Sequence, residues 1–115
     1  HRTNTFNTMA ESAAVVRATD TDRVRLAFDF HNSVHERASW AELAASFAGR
    51  TAHIHVNRPD GTCPRRSESG YRPAFQAFVD SSYDGWVSFE LFHLDGPPET
   101  VIHRGAEFLD WALGG

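Results

Sequence analysis

Along the chain, stretches with apolar residues at helical spacing alternate with short stretches in which apolar and polar residues take turns. Thr8-Met9-Ala10-Glu11 is a capping box, so a helix is predicted to start there and run through Ala13, Ala14, Val15 and Val16 to about Ala18. Thr19 to Asp22 is a polar turn, and the alternation from Val24 to Phe30 predicts a strand. A second capping box, Ser39-Trp40-Ala41-Glu42, opens a helix carrying Leu43, Ala44 and Phe47 that Gly49 should stop. Thr51 to Val56 is a short strand rich in β-branched residues. Asn57 to Gly70 is crowded with Pro, Gly, Arg and Ser and predicts a long loop, a kind of segment that more often serves function than packing. Pro73 should open a helix with Phe75, Phe78 and Val79 on one face. Tyr83-Asp84-Gly85 then turns the chain into a strand from Trp86 to Phe92. Gly96-Pro97-Pro98 ends that segment, and an amphipathic helix follows from Glu99 to Leu113, closed by Gly114.

Strands separated by helices, with no hairpin signal between any two of them, imply βα units and a parallel sheet: the class is α/β. At 115 residues the chain amounts to one small domain or part of a larger one, and 41% apolar with 23% charged residues is ordinary for a globular protein. All 11 basic residues are Arg, which excludes Schiff-base, pyridoxal and P-loop chemistry, since each needs a Lys. The net charge is −4, and the only adjacent basic pair is Arg65-Arg66, so a nucleic-acid partner is not expected. Cys63 stands alone, so neither a disulfide framework nor a multi-cysteine zinc site can form within the chain. No apolar stretch approaches the roughly 20 residues that span a bilayer, and no secretion signal is evident. A cytoplasmic protein without a membrane partner is the expectation.

Strand parity then separates packing from chemistry. Val24, Leu26, Phe28 and Phe30 oppose Arg25, Ala27, Asp29 and His31; Ala52, Ile54 and Val56 oppose Thr51, His53, His55 and Asn57. Val87, Phe89 and Leu91 oppose Trp86, Ser88, Glu90 and Phe92. Each strand has an apolar face and a face with ionisable groups gathered toward its carboxyl end, where parallel α/β folds build their sites. Asp29, His55 and Glu90 offer two carboxylates and an imidazole, a donor set suited to Mn²⁺, Mg²⁺, Co²⁺ or Zn²⁺. The competing reading makes His53 and His55 hydrogen-bonded interior histidines and Asp29 an acceptor for loop N–H groups. It fits Glu90 less well, because a carboxylate within an apolar strand is costly without a partner. His31 is either a substrate contact or a solvated loop histidine, whereas His35, His93 and His103 are expected at the surface. Arg58, Arg65 and Arg66 suit an anionic or polyhydroxy ligand as well as a solvated loop. Cys63 has no activating base nearby in sequence, and Trp40 and Trp111 read as packing. There is no GxGxxG, GxSxG or HExxH.

Taken in order, four segments resemble the C-terminal half of the xylose-isomerase-like TIM barrels, the sugar isomerase and epimerase superfamily. They are Thr3-Asn4-Thr5-Phe6-Asn7-Thr8, Phe28-Asp29-Phe30-His31, His53-Ile54-His55-Val56, and Tyr83-Asp84-Gly85-Trp86-Val87-Ser88-Phe89-Glu90. The last is the most specific, and together the segments span nearly the whole chain. The resemblance implies one partial domain, residues 1–115, forming the C-terminal half of a (β/α)8 barrel. It implies a divalent metal, Mn²⁺ first among the candidates, held by Asp29, His55 and Glu90. His31 resembles the family's substrate-contacting histidine. Glu90 resembles one of two glutamates that move a proton through an enediolate in sugar or sugar-phosphate isomerases and epimerases. Arg58 is the candidate for a further sugar contact, although it lies nearer His55 than the family's arginine, whose usual place falls at Gly61 or Thr62. The family's first metal-binding Glu precedes the Thr-Asn segment, and a barrel of eight strands needs about 200–250 residues. The implied partners are therefore a small sugar and a missing N-terminal half-barrel or a second copy, and the 115 residues alone are expected to be inactive. A dehydratase or lyase of the same superfamily is the alternative chemistry, and a non-catalytic half-barrel the alternative of another class.

Overall fold

The computed structural model describes residues 8–114. The Thr3 to Asn7 part of the Thr-Asn segment lies outside the described residues. Four helices and three strands alternate: α1 (Met9–Ala18), β1 (Leu26–Asp29), α2 (Trp40–Phe47), β2 (Thr51–Val56), α3 (Tyr71–Asp80), β3 (Trp86–Phe89) and α4 (Pro98–Ala112), with a 3₁₀ turn at Ala48–Arg50 after α2. The strands form one parallel sheet in the order β1-β2-β3. This is the parallel α/β sheet that the alternation of elements predicts.

The N-cap side of both capping boxes forms, with the Glu11 and Glu42 carboxylates accepting from the cap hydroxyls. The Thr8 hydroxyl accepts from the Glu11 N–H and the Ser39 hydroxyl from the Glu42 N–H, each at 3.1 Å. Each satisfies an amide that a helix start leaves without a partner, a contribution of about 0.5–2 kcal/mol per cap.

The element bounds differ from the predicted ones where local pattern competes with pairing. Strand β1 begins at Leu26 rather than Val24, because parallel pairing starts at Leu26↔Thr51 and Val24 is left 42% exposed in the preceding turn. Helix α3 begins at Tyr71, two residues before Pro73. Its first-turn N–H groups have no intrahelical acceptor, so a proline there loses nothing. Its buried face is Tyr71, Ala74, Phe75 and Phe78, while Val79 is 51% exposed. Helix α2 ends at Phe47 and tightens into the 3₁₀ turn through Gly49, instead of running on to it. Strand β3 ends at Phe89; past the Glu90 N–H, which still donates to Val56, the chain bends and Phe92 N–H donates to Gly61 O.

The core lies between the sheet and its helices. Phe28, Phe30, Ile54 and Val56 are fully buried against Phe75, Phe78 and Phe108. Phe30 is central: its ring meets those of Phe28, Trp40, Tyr71 and Phe75 at centroid distances of 5.0–5.7 Å. Packing every other residue of β1 this way turns Asp29 to the opposite face and fixes it there. Trp40 and Trp111 pack against the same core, and His35, His93 and His103 are exposed. No helix among the described residues is long and apolar enough to cross a membrane.

Candidate metal centre

The uncovered face of the sheet carries the ionisable groups. Asp29 is the register partner of His55, and His55 that of Ser88, so Glu90 follows two residues farther along the same side. Each side chain reaches one point at the carboxyl end of the strands. His55 Nδ1 stands 3.5 Å from Asp29 Oδ2 and in closer contact with Glu90 Oε2. One donor atom from each of the three residues lies within 4.8 Å of the others. Metal–ligand bonds of about 2.1 Å place neighbouring donors about 3–4 Å apart, so the triad has the span a divalent cation needs. Two carboxylates and one imidazole also suit a borderline-hard ion.

Accessibility differs across the triad. The Asp29 side chain is 11% exposed, His55 30% and Glu90 44%. Asp29 is anchored from behind: its Oδ1 accepts from the Asn32 N–H at 3.1 Å and from Asn57 Nδ2 at 3.4 Å. This leaves Oδ2 to face His55. Glu90, by contrast, opens to solvent and has room to move. His53 sits behind His55 with ring centroids 4.6 Å apart, and its Nε2 is hydrogen-bonded to Ser88 Oγ at 2.8 Å.

The remaining candidates flank this point. His31 Nδ1 is 2.7 Å from the Pro59 carbonyl. A carbonyl only accepts, so Nδ1 carries the hydrogen and Nε2 is left for another partner. The Phe92 ring meets the His31 ring edge-on at 5.0 Å. Phe92 is itself seated on Gly61, whose φ of +86° and missing Cβ allow the ring to lie against the backbone. Arg58 is turned into its own loop, with Nε 3.3 Å from Glu68 Oε2 and Nη1 donating to Thr62. Asp60 braces the same loop by accepting from the Thr62 hydroxyl and N–H, which hold its carboxyl below the ordinary range. Arg65 pairs with Asp95 instead, away from the triad. Cys63 is buried, and desolvation pushes its thiol up, which disfavours the nucleophilic thiolate.

Asn57 is the residue of this region that side-chain chemistry alone does not single out. It is fully buried at the end of β2 and bonded to residues from the ends of both β1 and β3. Its signal in the sequence is parity, since it continues the face of His53 and His55.

Residues 1–111 match the xylose isomerase-like TIM barrel family. No curated protein matches the sequence. Among solved structures, an L-ribulose 3-epimerase superposes with a TM-score of 0.81 at 19% identity, over 96% of this chain and 43% of the epimerase. A D-psicose 3-epimerase crystallised in the presence of D-fructose gives 0.79 at 19% identity, over 96% and 45%. The 3-keto-D-glucoside 4-epimerase of E. coli gives 0.78 at 17% identity, over 97% and 41%. At these identities the likeness is one of fold. The chain spans less than half the length of each of these proteins.

Proposed function

The chain belongs to the xylose isomerase-like TIM barrel family, and from that premise we propose that it contributes the metal-binding side of a sugar isomerase or epimerase. The substrate is a ketose or sugar phosphate, and the reaction passes through an enediolate. The observation that carries this reading is the convergence of Asp29, His55 and Glu90, from three adjacent parallel strands, on one point at their carboxyl ends. A divalent cation held there, Mn²⁺ before Mg²⁺, Co²⁺ or Zn²⁺, would stabilise the negative charge that develops on the sugar oxygens.

In this reading Asp29 Oδ2 and His55 Nδ1 are the fixed ligands, being the less exposed pair. Glu90, the most open of the three, also takes the proton from the carbon beside the carbonyl. His31, with Nδ1 held by Pro59, offers Nε2 to a sugar hydroxyl. Arg58, braced by Glu68 and Thr62, keeps Nη2 for a sugar or phosphate oxygen. Epimerisation also needs an acid–base group facing Glu90 across the reacting carbon. We assign that group to the remainder of a complete barrel, supplied by further polypeptide or a second copy.

The first test is a Mn²⁺ titration followed by electron paramagnetic resonance. Asp29→Ala and His55→Ala should each weaken binding by more than the about 10–100-fold typical of losing a supporting residue. Within a complete barrel, Glu90→Gln should abolish deuterium uptake from solvent into the ketose. His31→Ala should lower kcat/KM and leave metal content unchanged. Mn²⁺ affinity indifferent to both Asp29→Ala and His55→Ala would refute the assignment.

A further inference from the structure

Asn57 makes a hydrogen bond with every polar atom of its side chain, and together these bonds join the end of β2 to the ends of β1 and β3. Its Oδ1 accepts from the His31 N–H at 2.8 Å. Its Nδ2 donates to Glu90 O at 3.1 Å and to Asp29 Oδ1 at 3.4 Å. The orientation of the amide is fixed by its partners: a backbone N–H only donates, whereas a carbonyl and a carboxylate accept. The backbone is held as well, because the buried Tyr71 hydroxyl donates to Asn57 O at 2.8 Å. Asn57 itself is 0% exposed, so an amide this deep is retained only where its bonds are made.

We propose that Asn57 is a positioning residue for the metal centre: it engages Asp29 Oδ1 so that Oδ2 faces the ion, and sets the backbone at Glu90 and His31 in the same stroke. This rests on the reading of Asp29, His55 and Glu90 as ligands. Asp29 Oδ1 receives two hydrogens, from Asn32 N and Asn57 Nδ2, while Oδ2 is turned to His55. Without Nδ2, one of the two restraints on that carboxylate is gone, and it is free to rotate about its terminal bond. Glu90 lies one residue beyond β3, where the ladder no longer holds its carbonyl. The bond from Nδ2 replaces the missing strand contact there. His31 lies two residues beyond β1, and its N–H finds Oδ1 in the same way. A residue that supports a ligand from behind in this manner typically changes metal affinity by about 10–100-fold when replaced.

The experiment is Mn²⁺ binding by isothermal titration and electron paramagnetic resonance, with circular dichroism for folding. The variants are Asn57→Asp, Asn57→Ala, Tyr71→Phe and Asp29→Ala. Asn57→Asp keeps the size and the acceptor for His31 but faces Asp29 and the Glu90 carbonyl with an oxygen in place of a donor. Both Asn57 variants should bind Mn²⁺ about 10–100-fold more weakly while folded, with a broadened spectrum of the bound ion. Tyr71→Phe, which leaves the amide in place and removes only the hydroxyl behind it, should weaken binding several-fold. It remains the informative variant where the Asn57 substitutions do not fold. If Asp29→Ala abolishes binding and every folded variant at positions 57 and 71 binds within about twofold of the parent, the positioning role is overturned and the metal centre stands. If Asp29→Ala leaves binding unchanged, the metal centre itself is wrong.

Discussion

Gly85→Ala should cost far more than one methyl group suggests. Gly85 closes the Tyr83-Asp84-Gly85-Trp86 turn, where the chain enters β3 beside β2. A Cβ built there would stand 2.4 Å from the Ala52 carbonyl oxygen and 2.3 Å from the Tyr83 hydroxyl. Ordinary contact starts near 3.4 Å, so the methyl group intrudes by about 1 Å on both. Tyr83 can swing away, but its hydroxyl donates to Trp86 O at 2.8 Å, and losing that bond costs about 1 kcal/mol. The Ala52 carbonyl belongs to β2 and cannot swing. Strand β3 has to retreat from β2 just where His53 pairs with Trp86. Overpacking of this kind costs about 1–3 kcal/mol, so the sum is about 2–4 kcal/mol. That is a large share of the about 5–15 kcal/mol that holds a typical domain together. Urea unfolding of parent and variant measures it directly. Because Glu90 follows directly on β3, Mn²⁺ affinity should fall in the variant even at low urea. A loss below about 0.5 kcal/mol with unchanged Mn²⁺ binding would refute the close-approach account of this glycine.

Two further outcomes follow from the packing and the electrostatics. Phe30→Ala removes the ring at the centre of the aromatic core, a residue with no exposed surface, and should destabilise by about 3–5 kcal/mol in the same unfolding assay; a loss below about 1.5 kcal/mol would mean the neighbouring rings close the cavity. Glu36 accepts from the Met9 N–H at 3.1 Å, yet desolvation outweighs that bond and raises its carboxyl above the ordinary range. The folded state therefore favours the protonated form, and stability is lost as pH rises through the raised value. Glu36→Gln keeps the acceptor without the charge, so its melting temperature should exceed the parent's at pH ~7 and converge with it below pH ~4. A glutamine variant less stable than the parent at neutral pH would contradict this.

How much of this was legible in the sequence depends on the range of the forces involved. The two capping boxes are local: Thr8 with Glu11 and Ser39 with Glu42 lie three residues apart, and both helix starts are where the pattern places them. Parity is nearly as local, and it correctly turns Phe28, Ile54 and Val56 inward and brings Asp29, His55 and Glu90 to one side. The bounds of β1 and β3 were less legible, because a strand ends where its neighbour stops supplying partners, and that is decided by residues about 25–35 positions away. Arg58 shows the same limit from the side of chemistry. Sequence marks it as a free cation in a loop, whereas the fold gives it Glu68 and Thr62 as partners. Asn57 lay on the marked face but carries no charge, and its importance comes only from three partners that are distant in sequence.

The segments beyond the three strands are fastened mainly to one another, and that arrangement ties His31 to the Asp29, His55 and Glu90 triad. After β1 the chain is held by the bonds from His31 N to Asn57 and from His31 Nδ1 to Pro59 O. After β3 it is held by Asn57 Nδ2 on Glu90 O and by Phe92 N–H on Gly61 O. Every one of these bonds ends on residues 57–61, the first turn of the long loop after β2. The helices behind the sheet fix where the strands lie, but His31 and the Glu90 carbonyl stand past the ladder. Holding them falls to one short stretch, closed on itself by the Gly61 N–H donating to Arg58 O at 2.8 Å. Asn57 within it is fully buried, with its own carbonyl held by Tyr71, so a substitution there is expected to disturb the His31 N–H, the Glu90 carbonyl and Asp29 Oδ1 together.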